Sequence, residues 1–203
     1  MALAGKVVVF DLGNVLITWD RRLLFSQLID DPEELEFFLE NVYSMEANKD
    51  LDRGVPLAEV VERQSNAWPE HRATMQAFGS RWKETLGGPI EGSVEILREL
   101  KANGVPCFAL SNWSAETFAM IEPEYDFLAL FDGKVISGRE GVIKPDAKIF
   151  DILCERHGFE PEQAVFIDDS GANIAAALSL GFDALLFDSA ERLRHQLVER
   201  SLI

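Results

Sequence analysis

The sequence predicts an α/β fold, a parallel-sheet core interrupted early by an all-helical insertion. Three observations carry the prediction. Short, unbroken apolar runs recur, and each stops at a polar residue. Helical spacings separate most of these runs, and the stretch from about 18 to 85 has helical spacings with no comparable run. Unbroken apolar runs suit strands buried on both faces, as in a parallel sheet. Strands alternating with helices give βαβ units with right-handed crossovers.

In chain order, VVVF (7–10) is the first strand and stops at Asp11. Leu23, Leu24, Leu28, Leu35, Phe38, Leu39 and Val42 then fall at helical spacings. Asp31-Pro32-Glu33-Glu34 is a helix start: a capping Asp, Pro at the first position and acids near the positive dipole end. Pro56 and Pro69 introduce two further helices, one with Val60 and Val61, the other with Met75, Phe78 and Trp82. Trp19, Trp68 and Trp82 are expected in the core of this insertion, and Gly87-Gly88-Pro89 reads as its return hinge. A helix over 92–102 turns Val94, Leu97 and Leu100 to one side, and CFAL (107–110) is a strand that stops at Ser111. Ile149, Phe150, Leu153 and Cys154 mark a helix after Lys144-Pro145. AVFI (164–167) stops at Asp168; Ile174, Ala177 and Leu178 follow at helical spacing, and ALLF (184–187) stops at Asp188. The expected division is a core of residues 1–17 and 86–203 with a helical cap of 18–85.

Composition narrows the function. Among 203 residues, 47% are hydrophobic, enough for a real core. Asp and Glu number 35 against 19 Lys and Arg, a formal net charge of −16. A chain so acidic repels nucleic acid and anionic lipid, so neither is expected as a partner. Cys107 and Cys154 are too few for a disulfide framework or a four-cysteine zinc site and read as free thiols. The start, MALAGKVVVFD, has one basic residue and an apolar run too short for an export signal. No apolar run approaches the roughly 20 residues of a membrane span. A cytoplasmic monomer or homodimer is expected.

The residues that stop the runs carry the chemistry. In open parallel sheets, ligands sit at the carboxyl ends of strands, so Asp11, Ser111 and Asp168 can meet at one site. A carboxylate emerging after VVVF is a nucleophile or a metal ligand, or else a turn cap. Asp168-Asp169 repel each other unless something compensates, either a hard cation or a cap on the next helix. Ser111-Asn112 offer a hydroxyl and an amide to an oxyanion, and Lys144 stands at another loop-to-helix junction.

Four ordered motifs, FDLGNVL (10–16), LSNWS (110–114), IKPD (143–146) and FIDDS (166–170), make the chain resemble the haloacid dehalogenase-like hydrolase superfamily over nearly its whole length. The helical stretch after the first motif is similar to the cap of that superfamily's first subclass. The resemblance implies a Rossmann-like core and a phosphatase of small phosphate monoesters such as sugar phosphates. By it, Asp11 is the nucleophile of an aspartyl-enzyme intermediate, and Ser111 and Asn112 bind the phosphoryl oxygens. It makes Lys144 the partner of the phosphoryl group and of Asp11. It places Mg²⁺ between Asp11 and Asp169, with the Gly13 carbonyl as another contact and Asp168 as ligand or anchor. Asn173 would orient the acid pair.

One departure matters. The family's phosphatases carry a second Asp two residues after the nucleophile, which protonates the leaving group, a contribution of about 10²–10⁴-fold. Gly13 holds that position here and has no side chain. Substrate or solvent could supply the proton, or another acid such as Asp20 could reach in, or the chain could be a metal-independent 2-haloacid dehalogenase, or a phospho-ligand-binding protein without activity. The dehalogenase branch lacks the acid pair that Asp168-Asp169 retain, and it uses an early arginine that is missing between Leu23 and Asp52. Trp113 is a candidate for the pocket wall; His71, His157 and His195 are read as packing or surface residues. The acids from Asp30 to Glu40 are read as a solvated helix face.

Overall fold

The computed structural model describes residues 5–203. The first four residues, on which the reading of the N-terminal stretch partly rests, lie outside the described residues. Among the described residues, seven strands form two sheets: β1 (Val7–Phe10), β2 (Ile17–Trp19), β3 (Leu86–Pro89), β4 (Cys107–Ser111), β5 (Gly133–Ile136), β6 (Ala164–Asp168) and β7 (Asp183–Leu186). Five of them make one sheet in the order β5-β4-β1-β6-β7, with every neighbouring pair parallel. This is the Rossmann-like α/β core.

Side chains of a strand alternate between faces, and β1 shows what that does in a two-sided sheet. Val8 and Phe10 enter one cluster with Cys107, Ala109, Val165 and Ile167. Val7 and Val9 enter the other with Phe108, Leu110 and Phe166. Helix α6 (Glu91–Ala102) closes the first face through Val94, Leu97 and Leu100. Helix α9 (Ala147–His157) closes the second through Ile149, Phe150 and Leu153, joined by Ala177 of α10 (Gly171–Ser179). Both faces are covered, which is why these strands show no polar alternation.

Strand β5 has no counterpart among the expected strands. It lies at the sheet edge, and its sequence GKVI begins with two residues of low strand propensity. Two other strands run one residue longer than expected, because Ser111 and Asp168 still pair with Ile136 and Leu186.

The insertion holds α1 (Arg22–Phe25), α2 (Pro32–Phe37), a π-helical turn over Phe38–Val42, α3 (Met45–Asp52), α4 (Leu57–Ala67) and α5 (Arg72–Arg81). Asp31 caps α2 by accepting from the backbone N–H of Glu33 at 2.8 Å and of Glu34 at 3.1 Å, with Pro32 at the first position. Phe25 centres an aromatic core, with ring centroids 4.6 Å from Phe38, 5.8 Å from Tyr43 and 5.6 Å from Phe78. His71 packs against Phe38; His157 stacks on Phe108; His195 is exposed.

The expected hinge at Gly87-Gly88-Pro89 is instead strand β3, antiparallel to β2. A Cβ on Gly87 would come within 2.9 Å of the Thr18 side chain, so only glycine lets the two strands approach. No helix among the described residues is long and apolar enough to cross a membrane.

A narrow seam joins α3 to the core. The Ser137 hydroxyl, at the start of α8 (Ser137–Glu140), donates to the Asp52 carbonyl at 2.6 Å and accepts from the Trp113 N–H at 2.9 Å. Gly54 follows with φ +95°, and a Cβ there would lie 2.6 Å from the Gly138 carbonyl oxygen. Gly54→Ala is therefore expected to destabilise the protein by about 1–3 kcal/mol. Urea unfolding measures it; an unchanged midpoint would mean that the seam yields without cost.

Candidate active site

Strand register assembles the site. Phe10 pairs with Ala109 on one side and Ile167 on the other. One residue further, the Asp11 N–H donates to the Ile167 carbonyl at 2.8 Å, which brings Asp11 level with the end of β6. The loop before α9 closes over the same edge. Asn112 holds it in both directions: its Oδ1 accepts from the Lys144 N–H at 2.8 Å and its Nδ2 donates to the Lys144 carbonyl at 3.0 Å.

That clamp drives the Lys144 side chain into the protein, where it is 2% exposed. Nζ lies 2.7 Å from the Leu110 carbonyl, 2.6 Å from Asp168 Oδ2 and 3.1 Å from Asp11 Oδ1. An ammonium has three protons, and these three acceptors match them. Burial works against its charge, but Asp11 and Asp168 more than offset it and hold the Lys144 pKa above its ordinary value.

Asp11 is held on one side only. Its Oδ1 accepts from the Ser111 hydroxyl at 2.7 Å, the Leu12 N–H at 2.7 Å and Lys144. Among the described residues, Oδ2 accepts no hydrogen bond. Burial pushes the Asp11 carboxyl up to about 7; Lys144 and Ser111 pull it down, while Asp168 and Asp169 add to the rise.

The two adjacent acids differ. Asp168 is fully buried, and both its oxygens are engaged: Oδ1 by the Ser170 N–H and Asn173, Oδ2 by Lys144 and Asn173. Asp169 is exposed at the cavity. Partial desolvation of its carboxyl in the cavity and the neighbouring Asp168 raise its pKa, against the pull of Lys144 and of an Asn14 hydrogen bond. Carboxylate oxygens of Asp11, Asp168 and Asp169 all lie within 4.8 Å of one another. Three acids face one lysine that is already shared, and hard oxygen donors in negative excess suit Mg²⁺. Asn14 is the member of the group that sequence reasoning passed over. Its backbone is left-handed (φ 54°), which asparagine tolerates, and its Oδ1 accepts from the Trp19 N–H at 2.9 Å.

The structure thus brings Asp11, Gly13, Asn112, Lys144, Asp169 and Asn173 to one cavity of about 570 Å³, with Ser111 and Asp168 directly behind Asp11 and Lys144. Ser111 and the Asn112 amide hold protein groups, Asp11 and the Lys144 backbone, as folded here. Asp20 is not among the lining residues; its carboxylate caps the backbone N–H of Arg22. Trp19 and Trp82 form cavity wall with Trp113, as Asp52 and Asn48 do from α3. No arginine lines it, among the described residues. Arg21, the nearest in sequence to the first motif, donates to the Leu39 and Tyr43 carbonyls.

A family model for haloacid dehalogenase-like hydrolases matches residues 6–181. The chain is 25% identical to the sesquiterpene phosphatase AstK of Aspergillus oryzae over 187 residues, covering 91% of each. It is 28% identical to an (S)-2-haloacid dehalogenase of Pseudomonas fluorescens, over 46% of this chain and 41% of that protein. A crystal structure of a HAD family enzyme from Bacteroides thetaiotaomicron, in complex with magnesium and inorganic phosphate, superposes with a TM-score of 0.71 at 22% identity, covering 95% of this chain and 99% of the other.

Removing one partner of a buried ion pair leaves the other uncompensated. Lys144→Met is expected to cost about 3–5 kcal/mol of stability, read from guanidinium unfolding. A loss under about 1 kcal/mol, the size of an exposed pair, would show that water screens the cluster.

Proposed function

The chain belongs to the haloacid dehalogenase-like hydrolase family, and we propose that it is a Mg²⁺-dependent hydrolase of small phosphate monoesters. The observation that carries this reading is the asymmetry of Asp11. Three donors grip Oδ1, so Oδ2 is left to attack. Asp11 Oδ2 attacks phosphorus in line, the bond to the ester oxygen breaks, and the alcohol leaves; water then cleaves the aspartyl phosphate and releases phosphate. Ser111 and Lys144 orient the nucleophile through Oδ1. Asn112 fixes the loop that delivers Lys144.

Asp11, Asp169 and the Gly13 carbonyl would hold Mg²⁺, with Asp168 as the anchor behind them. When bound, the ion would offset charge on the phosphoryl oxygens and between the carboxylates. Segment 18–85 would act as the cap, excluding bulk water and receiving the alcohol portion against Trp19, Trp82 and Trp113. Indole rings accept the apolar face of a sugar as well as a hydrocarbon, so both belong in a substrate panel. Unpaired Cys107 and Cys154 accord with a cytoplasmic enzyme. AstK's description as a phosphatase favours the same reading.

A metal-independent dehalogenase is the competing assignment, since Gly13 offers no acid and relatives include 2-haloacid dehalogenases. Two features weigh against it: the acid cluster, and a cavity wall with no arginine for a substrate carboxylate among the described residues.

Wild-type protein with Mg²⁺ is expected to hydrolyse members of a panel of hexose, prenyl and aryl phosphates, and Asp11→Asn to fall to background. Equal rates in the two proteins would remove Asp11 as nucleophile. Halide release from 2-chloropropionate in excess chelator would instead establish the dehalogenase. Binding is separable from turnover. At 100 times its Kd, Mg²⁺ is expected to stabilise the wild-type protein by about 2.7 kcal/mol in thermal denaturation. Asp169→Asn should lose most of that increment.

A further inference from the structure

We propose that Asp52, at the end of helix α3, is the general acid and base that Gly13 cannot be. The inference rests on the phosphatase reading and deepens it.

The cavity leaves few choices. Its lining holds no histidine, cysteine or tyrosine among the described residues. Its carboxyl groups are Asp11, Asp169 and Asp52, and the first two belong to the acid cluster. Asp52 comes from the helical side, on the wall shared with Trp82 and Trp113, where the alcohol portion of a phosphate ester would lie. Its two lysines are otherwise occupied: Lys144 is fully engaged, and exposed Lys49 pairs with Glu46 at 2.8 Å.

Asp52 is also held in place. Its carbonyl accepts from Ser137 of the core at 2.6 Å. Its Oδ2 accepts from Asn48 Nδ2 at 3.1 Å, and Asn48 Oδ1 in turn accepts from the buried Tyr43 hydroxyl at 2.7 Å. Among the described residues, no hydrogen bond engages Oδ1. Gly13, by contrast, is not required by packing: a Cβ there would meet nothing within 4 Å, and its φ is not in the left-handed region. The acid is therefore missing from that position without being sterically excluded.

The groups around Asp52 are Lys144, Arg53, Asn48 and Tyr43. Burial raises its carboxyl to about 7, against the pull of Asn48, Lys144 and Arg53. An anion at a helix C-terminus also faces the negative end of the dipole. A group poised near neutrality can both give and take a proton. In the first half-reaction, Asp11 Oδ2 bonds to phosphorus, the P–O ester bond breaks, and its electron pair on the leaving oxygen takes the Asp52 proton. In the second, the Asp52 carboxylate takes a proton from water as that water bonds to phosphorus. The P–O bond to Asp11 then breaks, leaving Asp11 a carboxylate and Asp52 an acid again.

Leaving-group dependence tests this. An alkyl alcohol needs the proton, whereas 4-nitrophenolate departs without it. In single-turnover release of the leaving group, Asp52→Asn is expected to lower the rate on alkyl phosphates by about 10²–10⁴-fold and on 4-nitrophenyl phosphate by less than about tenfold, while the hydrolysis of aspartyl phosphate that both share slows for each. Equal losses on both in the release step, or none on either, would overturn the assignment. If wild-type protein turns over neither ester, the phosphatase reading fails instead. A second readout is independent of turnover. A carboxyl near 7 when folded and near 3.8 when unfolded keeps its proton longer in the folded state, so stability falls as pH rises between those values. In metal-free protein, Asp52→Asn should flatten part of that fall. An unflattened profile would mean that Asp52 is ionised throughout and cannot be the acid.

Discussion

One buried ammonium ties the carboxyl ends of three strands together. Lys144 reaches from the loop before α9 to the Leu110 carbonyl near the end of β4, to Asp11 after β1 and to Asp168 at the end of β6. Two carboxylates so close would not share a sheet edge without it, because their repulsion is strong in a medium that water barely screens. The Asn112 clamp sets where Lys144 enters, and Asn173 and the Ser170 N–H take up what remains of Asp168. Asp169, left outside this arrangement, supplies the uncompensated charge that a cation would answer.

From this follows the division of labour at the site. Oδ1 of Asp11 is held by three donors, and Oδ2, open among the described residues, is the oxygen to which the proposed attack falls. The buried half of the acid pair holds the edge and the exposed half faces the cavity. Ser111, expected from the resemblance to grip a phosphoryl group, is hydrogen-bonded to Asp11 itself. Orientation of an attacking oxygen lowers the barrier to displacement by holding a near-attack geometry.

The helical segment matters because it is tied to the core beside the cavity. Ser137 links the Trp113 N–H, just past the end of β4, to the Asp52 carbonyl at the end of α3. Gly54 and Gly138 let the two backbones approach closely there. Phe25 and Phe78 pack on Tyr43, whose hydroxyl leads through Asn48 to Asp52, so the aromatic core connects to the cavity although neither phenyl ring lines it.

Four of the five core strands were legible because a two-sided parallel sheet leaves unbroken apolar runs, and the polar residue ending three of them reports the edge where ligands bind. β5 was not legible, since an edge strand four residues long with Gly133 and Lys134 has no such run. β2 and β3 were hidden because glycine pairing in a two-stranded ribbon has no hydrophobic period. Asp11, Ser111, Asn112, Lys144, Asp168 and Asp169 were readable from order and context. Asn14 and Asp52 were not: one depends on a left-handed turn, the other on a helix end brought across by tertiary contacts. The sequence by itself determined the α/β class, the helical insertion and the set of residues at the strand ends. Only the tertiary structure decided which oxygen of Asp11 is open, that Asp20 points elsewhere and that Asp52 faces the cavity. The reason is physical: strand-end residues are aligned by local hydrogen-bond register, whereas these orientations come from contacts between segments far apart in the chain.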